Sequence, residues 1–169
     1  AMRWYRRLDP SGLAVSLDTQ NASRWLSAGG HSNEKDDLLG LRDEGGELVI
    51  DVIEVKTHDE AIPYTVDNGV VKGHAVDQVL STLHALAEVF GSNSDTPLAK
   101  PRREVLREHL YTALLRDLEP AHIERWHSLL QDLFNGNIKV KLAGRIVHVQ
   151  LASVANSGRQ TYVTSSGIP

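Results

Sequence analysis

Residues 48–56, Leu-Val-Ile-Asp-Val-Ile-Glu-Val-Lys, constrain the fold more than any other stretch of this chain. They are mostly β-branched and follow Asp43-Glu44-Gly45-Gly46, which predicts a strand leaving a tight hairpin turn. Strand side chains alternate, so Ile50, Val52, Glu54 and Lys56 share one face and Val49, Asp51, Ile53 and Val55 the other. Near-continuous hydrophobicity predicts cover on both faces. Glu and Lys are rarely buried without partners, so Glu54 and Lys56 at the end of such a strand need a reason to be there.

The preceding strand supplies a partner. Residues 37–42, Asp-Leu-Leu-Gly-Leu-Arg, run into the same hairpin. A two-residue loop at Gly45-Gly46 sets Glu44 against Glu47 and Asp37 against Glu54. A four-residue loop closed by Arg42 and Glu47 sets Asp37 against Val52, diagonal to Glu54 on the same face. In either register two carboxylates and one ammonium converge at the open end of the hairpin. Only an odd slip or a bulge separates them.

Crowded carboxylates repel, and one remedy is a divalent cation. Carboxylate oxygens with retained waters suit magnesium, which polarises phosphoryl oxygens and acidifies water. A neighbouring lysine offsets developing negative charge. An Asp followed by Glu-x-Lys on the next strand resembles the PD-(D/E)xK nuclease superfamily, here through Asp37, Glu54, Val55 and Lys56. Asp36 stands where that pattern usually has Pro. The resemblance implies a restriction-endonuclease-like α/β fold and a metal-dependent endodeoxyribonuclease. Asp37, Glu54 and Lys56 are then catalytic. Mg2+ or Mn2+ is held by Asp37, Glu54 and the Val55 carbonyl, and Lys56 serves the hydrolytic water. The bland alternative is a solvated cross-strand charge pair, the usual fate of Glu-x-Lys. The apolar strand, the hairpin and the matching face of Asp37 argue for the site.

The chain has 169 residues, no cysteine and a formal net charge of -4. The length suits one domain over residues 1–169 with a core of its own. Disulfides and cysteine-ligated zinc are excluded. No apolar run suits a membrane span and no signal peptide opens the chain, so the expected setting is cytoplasmic. Ala1 ahead of Met2 reads as a cloning remnant, so a domain cut from a longer protein is expected. Net acidity counts against a stand-alone DNA-binding module. It counts less against a nuclease whose acidic site contributes to the sum.

Arg3, Arg6 and Arg7 lie among aromatics at the start. Residues 13–17 predict a strand, and Asp18 or Thr19 caps a short helix over 22–26 that Gly29-Gly30 ends. Nucleases of the superfamily often carry another acid on an early helix. None is evident here; Asp18 and Glu34 are weak candidates, and capping for Asp18 and solvent exposure for Glu34 are the commoner roles. Residues 31–36 form a polar loop. After Lys56 a surface connection runs to about Gly73, with a small hairpin over 64–66 and 70–72.

Val76, Val79, Leu80, Leu83, Leu86, Ala87 and Phe90 make a stripe at helical spacing over 74–90, stopped by Gly91. Gln78 flanks that stripe. A Gln on this helix resembles the RecB-like group and implies an auxiliary site role; Thr82 replaces the aromatic that group shows four residues later. An ordinary helix-surface role is the alternative.

A linker-like loop precedes Pro101, which opens a helix through Val105, Leu106, Leu110, Leu114 and Leu118. Lys100, Arg102, Arg103 and Arg107 crowd its first turns against the macrodipole. They are candidates for DNA phosphate contacts, or a salt-bridge set with Glu104 and Glu108. A further helix runs from Pro120 through Phe134 to Gly136. Residues 138–142 and 145–151 are expected to pair as a hairpin across Ala143-Gly144, and 161–164 to form a last strand. Scattered histidines, with no His-Glu-x-x-His, make no zinc motif, and no Walker loop or Gly-x-Ser-x-Gly elbow occurs.

Residues 16–20, 37–41 and 102–104 are similar to nuclease-like domains attached to HerA/FtsK-type DNA translocases. Such proteins occur in bacterial anti-phage systems, including phosphorothioation-associated restriction. That similarity implies DNA as substrate, an ATP-driven translocase module in the same or a partner chain, and no membrane partner; a homo-oligomer is left open. The competing expectation is an inactive nuclease-fold domain that binds DNA or a translocase. The intact Asp37, Glu54 and Lys56 set favours cleavage. Weak overall basicity and the missing early-helix acid favour a binding or interaction domain that does not cleave, such as a partner of a translocase.

Overall fold

A computed structural model describes residues 2–26, 36–57, 65–67, 70–91, 97, 99–149 and 161–164. A five-stranded mixed sheet carries the fold. Its strands are β1 (Leu13–Ser16), β2 (Leu38–Glu44), β3 (Glu47–Thr57), β6 (Lys139–Val149) and β7 (Thr161–Thr164), in that spatial order. The β3–β6 pair is parallel and the other pairs are antiparallel. β4 (Thr65–Asp67) and β5 (Val70–Lys72) form a separate small hairpin, as expected.

The hairpin register is the one a two-residue loop dictates. Glu44 pairs with Glu47 and Leu38 with Ile53, so Asp37 stands one step on, level with Glu54. Gly45 and Gly46 have φ of 64° and 101°, the left-handed values that a two-residue turn between twisted strands requires. Neither turn residue has a neighbour that an added Cβ would touch, so backbone conformation alone selects glycine.

β3 is buried on both faces. On one face Leu48, Ile50 and Val52 join Leu39 and Leu41 of β2 and Ile146 of β6 in the main core. That face is covered by α2 (Gln20–Leu26), α3 (His74–Phe90), α4 (Ala99–Asp117) and α5 (Pro120–Asn135). On the other face Leu38, Ile53 and Ala14 pack under Tyr5 of α1 (Met2–Leu8). A Cβ on Gly40 would run into the Tyr5 ring, so β2 needs glycine where α1 crosses it.

Asp51 lies fully buried on the α1 face. Nε of Arg42 donates to one carboxylate oxygen at 2.8 Å, and Nε of Arg145 donates to the other at 2.9 Å. Two guanidiniums thereby compensate a charge that burial alone would make costly.

The helices follow their sequence signals closely. Thr19 caps α2, its hydroxyl accepting the Ala22 N–H at 3.2 Å. α3 ends where Gly91 donates to the Ala87 carbonyl at 2.7 Å. α4 begins two residues before Pro101, which sits in its first turn. α5 ends at Gly136 with φ of 74°, and Asn137 donates to the Asp132 carbonyl at 2.8 Å. Among the described residues no helix is long and apolar enough to cross a membrane.

One expectation fails. Residues 138–142 and 145–151 do not pair across Ala143-Gly144. Residues 139–149 are a single strand, β6, in parallel register with β3 from Glu47↔Lys139 to Thr57↔Val149. Gly144 is not among the glycines with positive φ; it pairs with Val52 inside the sheet. The open edge of β3 exposes a full ladder of N–H and C=O groups, and a long strand satisfies it where a short hairpin would not. β7 then closes on β6 in antiparallel register, Gly144↔Thr164 to Val147↔Thr161. The helix α1 was not anticipated, and residues 27–35, with the proposed stop at Gly29-Gly30, lie outside the described residues.

The turn analysis yields a prediction. Gly46→Ala forces a Cβ into left-handed backbone and should lower stability by about 1 kcal/mol or more. Urea unfolding of both proteins measures this, with the m-value expected to stay the same.

Candidate active site

The open end of the β2–β3 hairpin collects the charged residues. Asp37 is half-buried, and its Oδ2 accepts the Val55 N–H at 2.7 Å. A residue's N–H and C=O point to the same edge of a strand. The Val55 carbonyl therefore opens on the Asp37 side, past the start of β2. Glu54 is buried; Lys56 is half-buried and forms an ion pair with it. Nζ of Lys56 also donates to Oε1 of Gln78 on α3 at 2.8 Å. Gln78 is itself buried and does not face solvent.

The electrostatics are those of an acid-rich pocket. Burial pushes the Glu54 carboxyl above its ordinary value. Lys56 opposes that shift, Asp37 adds to it, and His74 opposes it more weakly. Oε2 of Glu54 is buried and has no hydrogen-bond partner among the described residues.

Asp36 is a further acid here. It is 1% exposed, and neither carboxylate oxygen has a hydrogen-bond partner among the described residues. Burial pushes its carboxyl to about 7, and the charges of Glu54 and Asp37 push the same way. The Thr82 hydroxyl pulls in the other direction without satisfying either oxygen. Thr82 lies one turn beyond Gln78 on α3, so the two line the same side of that helix. The sequence marked Asp36 only as a departure at the Pro position; its burial was not legible there.

Two carboxylates and a carbonyl are hard oxygen donors. Such a set suits a magnesium-like ion that completes its shell with waters and substrate oxygens. The unpartnered buried Oε2 of Glu54 fits that use. Among the described residues, no group of three or more His, Cys, Asp or Glu side chains is arranged to hold a metal ion.

The basic residues of α4 are largely engaged elsewhere. Arg102 is buried and pairs with Glu88 of α3. Arg103 donates to the Phe134 carbonyl at 2.6 Å, at the end of α5. Arg107 lies 5.9 Å from the ring centroids of Tyr111 and Phe134 and 3.9 Å from Glu104. Lys100 is exposed at the helix start. Arg102 and Arg103 thus hold α4 to its neighbours, and the salt-bridge alternative holds in part, through Glu104. Asp18 is exposed beyond β1, and Glu34 lies outside the described residues.

No family model matches the chain, and no curated protein or solved structure matches it.

Asp36 generates a pH prediction. Its folded value lies above the ordinary carboxylate value, so its protonated form favours the fold, and that contribution fades as pH rises through about 7. Asp36→Asn should therefore raise the melting temperature at pH 8 without divalent cations, and raise it much less at pH 4. Melting curves of both proteins from pH 4 to 8 test this; a constant difference would contradict it.

Proposed function

We propose that this chain is a metal-dependent endodeoxyribonuclease domain that hydrolyses DNA phosphodiester bonds. One observation carries the reading: Lys56 is held by both Glu54 and Gln78 beside an Asp37 that meets the next strand at the Val55 N–H. A surface charge pair has no need of a buried glutamine on a separate helix.

Asp37, Glu54 and the Val55 carbonyl would hold the divalent ion. When bound, such an ion supplies Lewis-acid polarisation of the phosphoryl oxygen and makes water more acidic. The chain does the rest. Glu54 and Gln78 fix the Lys56 ammonium so that no reorganisation is needed as negative charge develops on the phosphate. The apolar floor of β3 keeps the ammonium and carboxylates partly desolvated, which strengthens their interactions with substrate. Water adds to phosphorus and the bond to the leaving sugar oxygen breaks. A role in bacterial restriction or anti-phage defence, beside an ATP-driven translocase, belongs to the same proposal. A second reading, a nuclease-fold domain that docks a protein partner such as a translocase without cutting, draws support from the net charge of -4 and from the inward engagement of Arg102 and Arg103.

Metal binding is the first test. Calorimetry with magnesium or manganese should detect a site that Asp37→Ala abolishes; identical titrations would remove the metal assignment. Cleavage is the second. Lys56→Ala should slow plasmid nicking per folded molecule about a hundredfold or more, the scale of one lost preorganised charge, and also lower the melting temperature, because it leaves the buried Glu54 unpaired. Asp51→Asn, on the opposite face, should lower the melting temperature and leave nicking per folded molecule intact. Equal nicking by wild type and Lys56→Ala would sink the mechanism.

A further inference from the structure

β6 is longer than the strand that covers its outer edge. β3 takes the whole inner edge, from Lys139 to Val149. β7 pairs with the outer edge only from Gly144 to Val147. Among the described residues no strand lies against the outer edge from Lys139 to Ala143. A residue's N–H and C=O point to one edge, alternating along the strand, so alternate residues of this stretch turn theirs outward. Such an edge is a template for a further strand.

The two faces of that edge differ. Alternation puts Lys139 and Lys141 on the α1 side, where Arg145 reaches Asp51 and Val147 packs near Tyr5. Both lysines are exposed. Val140 and Leu142 lie on the other side with Ile146; they pack against the main core and remain half-buried. A strand laid along the edge would meet ammonium groups on one face and incompletely covered aliphatic groups on the other.

That pattern selects the occupant. An antiparallel second copy of β6 would set lysines against lysines, and directly opposed like charges are unfavourable. Edge lysines are a usual guard against such self-pairing. A segment with carboxylates opposite Lys139 and Lys141 and apolar side chains opposite Val140 and Leu142 gains on both faces.

We infer that the outer edge of β6 from Lys139 to Ala143 is a docking site for an extended segment of a partner protein in which acidic and apolar residues alternate. The segment adds to the sheet in line with β7. Backbone hydrogen bonds hold it, and the alternating side chains choose it. The docking site lies at the turn end of the β2–β3 hairpin, where Lys139 pairs with Glu47. Lys56 pairs with His148, about 30 Å further along the same two strands. Docking leaves the candidate active site open, so the inference does not rest on the nuclease reading.

The probe is a fluorescein-labelled peptide, Gly-Ser-Glu-Val-Glu-Val-Glu-Ser-Gly, titrated with the whole chain and followed by anisotropy. Wild type should bind it in preference to a peptide of the same composition with its acids contiguous. Hydrogen exchange should slow at amides within residues 139–143 when the peptide is present, a readout that needs no variant. Lys139→Glu combined with Lys141→Glu should weaken binding about tenfold, the scale of two cross-strand charge pairs turned from attraction to repulsion. The same double variant should gain affinity for the peptide with Lys in place of each Glu, a switch of preference that misfolding would not produce. Equal binding of the two acidic peptides, protection confined to other residues, or no binding by wild type would overturn the inference. So would protection of 139–143 that rises with protein concentration alone, which would assign the edge to a second copy. Displacement of the peptide by a short DNA duplex would assign it to nucleic acid and overturn the inference as well.

Discussion

The register of the β2–β3 hairpin is the constraint on which the site depends. Gly45 and Gly46 take left-handed backbone, and that turn allows one pairing of the strands. A slip of one residue would send Asp37 to the α1 face and leave Glu54 with Lys56 alone. The same slip would pull Asp51 away from Arg42 and expose apolar side chains on both sides. Packing energy over the whole of β3 therefore enforces the position of two charged residues at its end.

The two faces of β3 treat buried acid differently. Asp51 has two guanidiniums in hydrogen-bonding contact, one from β2 and one from β6. Those arginines are about one-quarter exposed, so they keep some hydration while neutralising a fully buried carboxylate. On the opposite face Lys56 pairs with Glu54, no cation lies beside Asp36 among the described residues, and burial drives both carboxyls upward. Breaking the Asp51 set leaves a charge stranded in the core. Breaking the Lys56 set leaves the buried Glu54 without its ammonium and Gln78 without the donor it accepts from.

What the sequence shows of this depends on range. The hairpin and the shared face of Asp37 and Glu54 were legible because a two-residue glycine turn and strand alternation are local rules. The helix α3 was legible to the residue, since its stripe and Gly91 are local too. β6 was misread because Ala143-Gly144 resembles a turn locally, while its real partner, β3, is separated from it by three helices. His148 beside Lys56 was hidden for the same reason: only the parallel register brings them together. Helical spacing placed Arg102 and Arg103 on α4 but carried no information about Glu88 or the Phe134 carbonyl.

Asp36 bears most directly on what the pocket is for. A buried carboxyl with no partner lowers stability, and substitutions that neutralise one are common in sequence space. This fold has a ready means of compensating such a group, since it does so with two arginines at Asp51. It places no cation beside Asp36 among the described residues, and the Thr82 hydroxyl leaves its oxygens unsatisfied. The uncompensated acid lies within electrostatic reach of Asp37 and Glu54, not at a random point of the core. A cation arriving from solution would relieve repulsion among all three carboxylates at once, whether or not Asp36 touches it. A cation that bound these acids in the folded chain and not in the unfolded one would stabilise the fold in proportion to its occupancy.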